Sequence, residues 1–396
     1  MTLPLLSLWI HPQAGVENIN NFTIIEPNYR ESKMKDQGLV NNYNSKKIWI
    51  DLDNPSDVLF FNPIIKELSK MGIDSILTIR NHSQNVELAK MYKFNYKIIG
   101  HHYGKIKLLK AVGLLIRSIE LLFFIRKKKP DLAFSFESRP QILICKFLGI
   151  PTVSTIDYEY VQYLPFAKPD LGFIPDTLLE ESVKNYYKKV IKYPGIKEDV
   201  YKHNLEPDSD IKEKLNITDN DIVITVRPPA TEAHYHTHLG DILFEETINF
   251  VIQHPQTRII LLTRTASQKD EIKKKWNAGI SSGKIIIPDQ IFDGLNLIWH
   301  SDLVISGGGT MIREAAALNV PSYSIFGGTI GEVDKKLEKA ERISILRSKK
   351  DIHDKIILRH KEKSAHPQFS ESEALQKIVN TILEILSNPV TPYINA

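Results

Sequence analysis

A chain of 396 residues is long for one hydrophobic core, so two domains are the expectation. Its 42% hydrophobic and 25% charged residues exclude a disordered or fibrous chain, and a net charge of +4 without a long basic stripe gives no argument for nucleic acid. One cysteine, Cys145, excludes an internal disulfide; it sits in the apolar run 142–148, so a buried inert thiol in a reduced, cytoplasmic chain is expected.

Residues 1–45 are rich in Asn, show no sustained period and read as a disordered extension. The ordered fold is expected from Lys47, where KKIWIDLDNPSD gives a strand with a loop at its carboxyl end. A helix over 58–71 carries Phe60, Phe61, Ile64 and Leu68 and stops at Gly72. Strands follow at 76–79 and 96–99 with a helix at 84–92 between them, then a long helix at 105–129. Strands at 132–136, 152–156 and 171–174, with a helix at 142–148, complete a first domain of residues 46–180. Residues 181–207 break the alternation and read as a connector. A second domain, 208–348, repeats it, with strands at 221–226, 258–263, 284–287, 303–305, 322–326 and 343–346. A helical segment, 349–396, contains an amphipathic helix at 371–386. No stretch reaches the roughly 18 apolar residues of a spanning helix. The fold class is therefore α/β: two doubly wound parallel sheets facing a cleft, with a C-terminal helix. Ligands of such sheets bind outside the carboxyl ends of the strands.

The most informative stretch is 302–321, DLVISGGGTMIREAAALNVP. A short apolar strand runs into Gly307, Gly308 and Gly309, and Thr310 can cap the helix that follows. Strand, glycine turn and helix start aim free N–H groups and the positive end of a helix at one point, which suits a phosphate. Glu314, one turn into the helix, could accept hydrogen bonds from sugar hydroxyls. The alternative is three glycines that merely allow close strand–helix contact.

The stretches KIWIDLDNP, KYPGIKEDVY, VRPPATEAHYH and ISGGGTMIREAAALNVPSYS resemble a mostly archaeal family catalogued as domain of unknown function 354. The second half resembles the nucleotide-sugar domain of GT-B proteins. The family's relatives are UDP-N-acetylglucosamine 2-epimerases and the N-acetylglucosaminyltransferase that acts on lipid intermediates of the cell wall. By that resemblance Ser306, Gly307, Gly308, Gly309 and Thr310 would hold the diphosphate and Glu314 the ribose of a nucleotide sugar. One departure is that the family's first loop usually reads N-S-P-H, where this chain has Asn54-Pro55-Ser56-Asp57.

Other candidates come from the residues themselves. Arg227, just after a strand and before two prolines, can pair bidentately with a diphosphate. His234, His236 and His238 alternate, but no carboxylate or cysteine completes a familiar ligand spacing, so no metal is expected and His234 is a candidate contact to phosphate or leaving group. Asp53, among Asp51 and Asp57 at the end of the first strand, is a candidate general base, and Asp57 a helix cap. Glu137 and Glu159 end two further strands and are alternative bases; loop charges in water are the bland alternative for each. Gly327, Gly328, Thr329, Gly331 and Glu332 offer a second glycine loop that could touch the sugar. The helix at 105–129 is apolar on one face and ends in four cations, which allows either core contact or a peripheral membrane contact. The function expected is metal-independent transfer of a sugar from a nucleoside diphosphate sugar to a glycan or lipid-linked hydroxyl, with no further cofactor. Nucleotide-sugar 2-epimerisation and a non-catalytic binding role are the alternatives.

Overall fold

The computed structural model describes residues 43, 45–101, 104, 107–161, 164, 166–231, 236–362, 367 and 369–387. The expected extension, 1–45, lies outside them apart from Tyr43 and Ser45.

The first half runs β1 (Lys47–Leu52), α1 (Pro55–Lys70), β2 (Asp74–Asn81), α2 (Asn85–Met91), β3 (Tyr96–His101), α3 (Lys107–Ile125), β4 (Leu132–Ser135), α4 (Arg139–Leu148), β5 (Thr152–Thr155), β6 (Leu171–Pro175), α5 (Glu180–Val183) and β7 (Lys189–Tyr193). Two 3₁₀ turns, Lys197–Val200 and Lys202–Asn204, follow. The second half runs α6 (Ile211–Lys214), β8 (Ile222–Arg227), α7 (His238–Ile252), β9 (Thr257–Leu261), α8 (Ala266–Lys275), α9 (Asn277–Ser281), β10 (Ile285–Ile286), α10 (Gly294–His300), β11 (Leu303–Ser306), α11 (Gly309–Ala317), β12 (Ser322–Ser324), α12 (Glu332–Lys339), β13 (Ser344–Ile345), α13 (Lys349–Lys355) and α14 (Glu373–Ser387).

Both sheets are parallel. Their orders are β3-β2-β1-β4-β5-β6-β7 and β10-β9-β8-β11-β12-β13. Each order reverses once, between β1 and β4 and between β8 and β11, which is where such sheets open a crevice. Register places Asp51 beside Ser135 across the first reversal and Arg227 beside Ser306 across the second. The central strands are almost wholly buried because helices cover both faces: Ile48, Trp49, Ile50 and Leu52 of β1 are all fully buried. Phe60, Phe61 and Phe134 meet edge to face beneath β1, with ring centroids 4.8 and 5.1 Å apart for the Phe61–Phe134 and Phe60–Phe61 pairs. Cys145 is buried as expected, and burial pushes its thiol up.

The connector expectation for 181–207 is corrected. This stretch supplies β7, the edge strand of the first sheet, and then dives into the core: Tyr193, Ile196, Val200 and Tyr201 are at most 1% exposed. Its lysines at the sheet edge made the strand look like loop, although charge is how natural edges avoid pairing with other chains. Helix α1 starts at Pro55 rather than near Val58. Asp57 is its third residue, and its Oδ2 accepts the N–H groups of Asp53 and Asn54 at 2.8 and 2.9 Å. The C-terminal helix α14 returns to the first half and lies against α1. Ser372 ties its start to the carbonyl of Asp199 at 2.6 Å.

Candidate functional site

A cleft of about 770 Å³ lies outside the carboxyl ends of both sheets, where their strand orders reverse. The second half contributes Arg227, Ser306, Gly308, Gly309, Thr310 and Glu314 to its wall; the first contributes Asn54, Ser56, Glu137, Asp157 and Lys197. Most of the proposed binding residues and one proposed base, Glu137, are thus brought together.

The glycine turn is built more tightly than its sequence implies. The Gly307 N–H donates to the Arg227 carbonyl at 2.9 Å, and the Gly308 N–H to Ser306 Oγ at 3.0 Å. Ser306 Oγ donates in turn to the Gly308 carbonyl at 3.1 Å. Ser306 therefore shapes the turn. Gly308, not Thr310, is the residue that caps α11. The N–H groups left without an intrahelical acceptor by helix geometry are those that open α11, from Gly309 onward. Gly307 is needed for close approach: a Cβ there would stand 2.7 Å from both Cα and N of Pro229. Arg264, at the end of β9, joins this wall and donates to the Pro228 carbonyl at 3.3 Å.

Glu314 is 4% exposed and accepts the Tyr201 hydroxyl at 2.9 Å. Burial, with the nearby charge of Glu198, lifts its carboxyl to about 7. Beside it Arg313 reaches across to the first half, 2.7 Å from Asp157 and 3.3 Å from Glu198, and lies 3.1 Å from Asp334 of α12 in its own half. Lys197 is 2.6 Å from Asp157 and 3.5 Å from Thr310 Oγ1. Two buried cations and two carboxylates, Asp157 and Glu198, therefore stitch the glycine helix to the first half.

The network divides the carboxyls of the cleft. For Asp157 burial acts to raise the pKa, but Lys197 and Arg313 outweigh it and hold the group at about 2. Glu137 is raised well above its usual range by burial and then by the charge of Asp157. Glu137 also has φ 62°, a left-handed conformation that costs a non-glycine residue about 1 kcal/mol or more. One carboxyl held low and one pushed high thus line one cleft, a split of the kind that acid–base chemistry uses.

Two other proposed catalytic residues, Asp53 and Glu159, stand elsewhere. Asp53 is not on the cleft wall: Arg117 holds it at 2.6 Å and Arg80 at 3.6 Å. Burial acts to raise its pKa, but these cations bring it below the usual value. Glu159 accepts the Glu332 N–H at 3.0 Å and so anchors the start of α12. Glu332 in turn accepts the Leu179 N–H at 2.8 Å, so the second glycine loop joins the halves and does not line the cleft. His234 and Glu232 lie outside the described residues; His236 pairs with Asp241 at 2.9 Å, and His238 opens α7. Lys197, Glu198 and Tyr201 went unassigned, although all three stand in KYPGIKEDVY, one of the stretches that carry the family resemblance.

Solved structures share this fold. The UDP-GlcNAc 2-epimerase of Neisseria meningitidis, solved bound to UDP-GlcNAc, superposes with TM-score 0.65 at 14% identity, over 85% of this chain and 100% of that one. The UDP-GlcNAc 2-epimerase of Methanocaldococcus jannaschii, in complex with UDP-GlcNAc and UDP, gives 0.63 at 17% identity, over 85% and 99%. An uncharacterized protein of M. jannaschii, MJ0665, is 30% identical over 307 residues, 75% of this chain and 86% of that protein. The family described as "Protein of unknown function (DUF354)" matches residues 46–388. The chain belongs to that family, on a GT-B-like α/β fold.

Proposed function

We propose that the chain is a metal-independent transferase that moves a sugar from a nucleoside diphosphate sugar to an acceptor hydroxyl. One observation carries the reading: the opening N–H groups of α11, Arg227 and Glu314 stand on one wall of a cleft whose opposite wall holds Glu137. The donor's diphosphate would lie on the start of α11 and Arg227, with its ribose hydroxyls on Glu314. The acceptor oxygen attacks the anomeric carbon, the bond to the diphosphate breaks, and the acceptor proton passes to the ionised form of Glu137. A carboxylate of raised pKa is the better base for this step, which favours Glu137 over Asp157 and Asp53. Charge growing on the leaving diphosphate is met by the helix end and Arg227 in the place of a metal ion. The solved relatives bound to UDP or UDP-GlcNAc support a uridine donor.

One observation favours 2-epimerisation as a second reading. Removing and restoring a proton at the sugar C2 needs one ionised and one protonated group, and the opposite shifts of Asp157 and Glu137 favour such a pair. Thermal shift against nucleotides tests the donor site. A ligand at a hundred times its Kd stabilises by about 2.7 kcal/mol. UDP should shift the wild type, and Arg227→Ala should weaken that binding by at least tenfold. Equal affinity in the variant would misplace the site. Incubation with UDP-GlcNAc then separates the reactions: acceptor-dependent UDP release marks transfer, and a new sugar nucleotide without acceptor marks epimerisation.

A further inference from the structure

Helix α3 carries an apolar stripe that the described fold leaves uncovered. Leu108, Leu109, Val112, Leu115, Ile119 and Phe123 are between 44% and 72% exposed. At the turn of an α-helix these six fall within an arc of about 120°, along a rise of about 22 Å. The opposite side of α3 is ordinary core: Leu121 and Ile125 are fully buried in the cluster that holds Trp49. Helix α4, which lies against α3, adds Phe147, 75% exposed, and the exposed Lys146.

The stripe ends in charge of one sign. Arg126, Lys127, Lys128 and Lys129 follow α3 directly, all exposed, and Arg126 lies 4.7 Å over the ring of Phe123. Against these four cations the exposed acid on α3 is Glu120. A second copy seated on this face would bring the same cations and few carboxylates to meet them. An anionic lipid surface supplies apolar depth for the stripe and phosphates for the cations. The helix does not span: none of the described helices is long and apolar enough to cross a membrane.

We propose that this face docks the protein peripherally on an anionic bilayer, with α3 lying in the plane of the interface. Lys110, on the side of the same helix turned away from the stripe, lines the cleft, so α3 would lie between the lipid surface and the cleft. The inference does not rest on the donor site, because vesicle binding needs no nucleotide.

Flotation of the full chain with phosphatidylcholine vesicles, with and without phosphatidylglycerol, tests it. Binding is expected to the anionic vesicles and to fall as salt rises. Lys127→Ser/Lys128→Ser/Lys129→Ser should weaken it roughly a hundredfold, about fivefold for each charge. Leu115→Asp/Ile119→Asp should abolish it with no loss of melting temperature, since both side chains face solvent. The UDP-induced thermal shift, kept in both variants, reports the donor site separately. The proposal is overturned if the wild type floats with neither vesicle. It is equally overturned if the chain sediments as a dimer that Leu115→Asp/Ile119→Asp splits while lipid binding is absent.

Discussion

Glu314→Gln should make the protein more stable and a poorer binder, in a way that depends on pH. Glu314 is 4% exposed, and its carboxyl is lifted from 4.5 to about 7, chiefly by burial. An acid whose folded pKa is raised holds its proton in the folded state where the unfolded chain has lost it. Its stabilising contribution is complete below pH 4.5 and is lost as pH rises through about 7. The full loss corresponds to about 3 kcal/mol. Gln keeps the shape, cannot ionise and still accepts the Tyr201 hydroxyl, and the bond from Tyr201 to the charged form already counts within the raised value. At pH 8 a gain of up to about 3 kcal/mol is therefore expected, several degrees in Tm for a chain of this size. At pH 5 the wild-type carboxyl is already protonated, and the two proteins should melt together. Differential scanning fluorimetry at the two pH values measures the difference. In the same samples UDP affinity at pH 8 should fall about tenfold or more, the loss expected when a charged acceptor of hydroxyl donors becomes neutral. A variant less stable than wild type by the same margin at both pH values would refute the argument, because the cost would then be lost contact and not relieved charge.

Gly307→Ala places a Cβ 2.7 Å from the Pro229 backbone, which cannot rotate away, so a loss of about 1–3 kcal/mol is expected in urea unfolding. Gly294→Ala, whose Cβ would meet nothing within 4 Å, is the control and should stay within about 0.5 kcal/mol. Arg313→Met leaves Asp157 and Glu198 to Lys197 and takes from Asp334 its arginine, and should cost about 3–5 kcal/mol; adding Asp157→Asn should restore part of it, and strict additivity would show that the pair does not interact. Glu137 separates the two reactions by pH. As the base of a transferase it must lose its proton, so the rate should rise with pH; as proton donor of an epimerase it must keep it, so the rate should fall. Glu137→Gln should flatten either limb and lower kcat by about a hundredfold or more.

What the sequence disclosed were the features that short stretches encode. Central strands such as Ile222–Arg227 are unbroken β-branched runs, and the helices between them carry a clear 3.6-residue period, so the alternation and both parallel sheets were legible. The glycine turn was legible because only glycine fits against Pro229. Partners remote in sequence were not. Asp53 reads as a free base until Arg117, which is 64 positions away, proves to hold it. Lys189–Tyr193 reads as linker because its lysines suit an edge, and an edge exists only once six other strands are in place.

The same long-range contacts recast the division of labour between the halves. By sequence, one half binds a donor and the other does chemistry. In the fold, Arg313 and Glu314 are neighbours on α11, yet Arg313 points its charge at Asp157 in the first half while Glu314 lines the cleft. Lys197 bridges back, touching Asp157 and Thr310 at once. A diphosphate at the start of α11 would compete for Lys197, and any weakening of its pair with Asp157 would leave that carboxylate more basic. On the proposed function, donor binding and the protonation of the opposite wall would therefore be coupled through one buried cation, Lys197. The coupling has a sign: Lys197 lowers both carboxyls, so a nucleotide that takes up its charge should raise Asp157 and Glu137 alike.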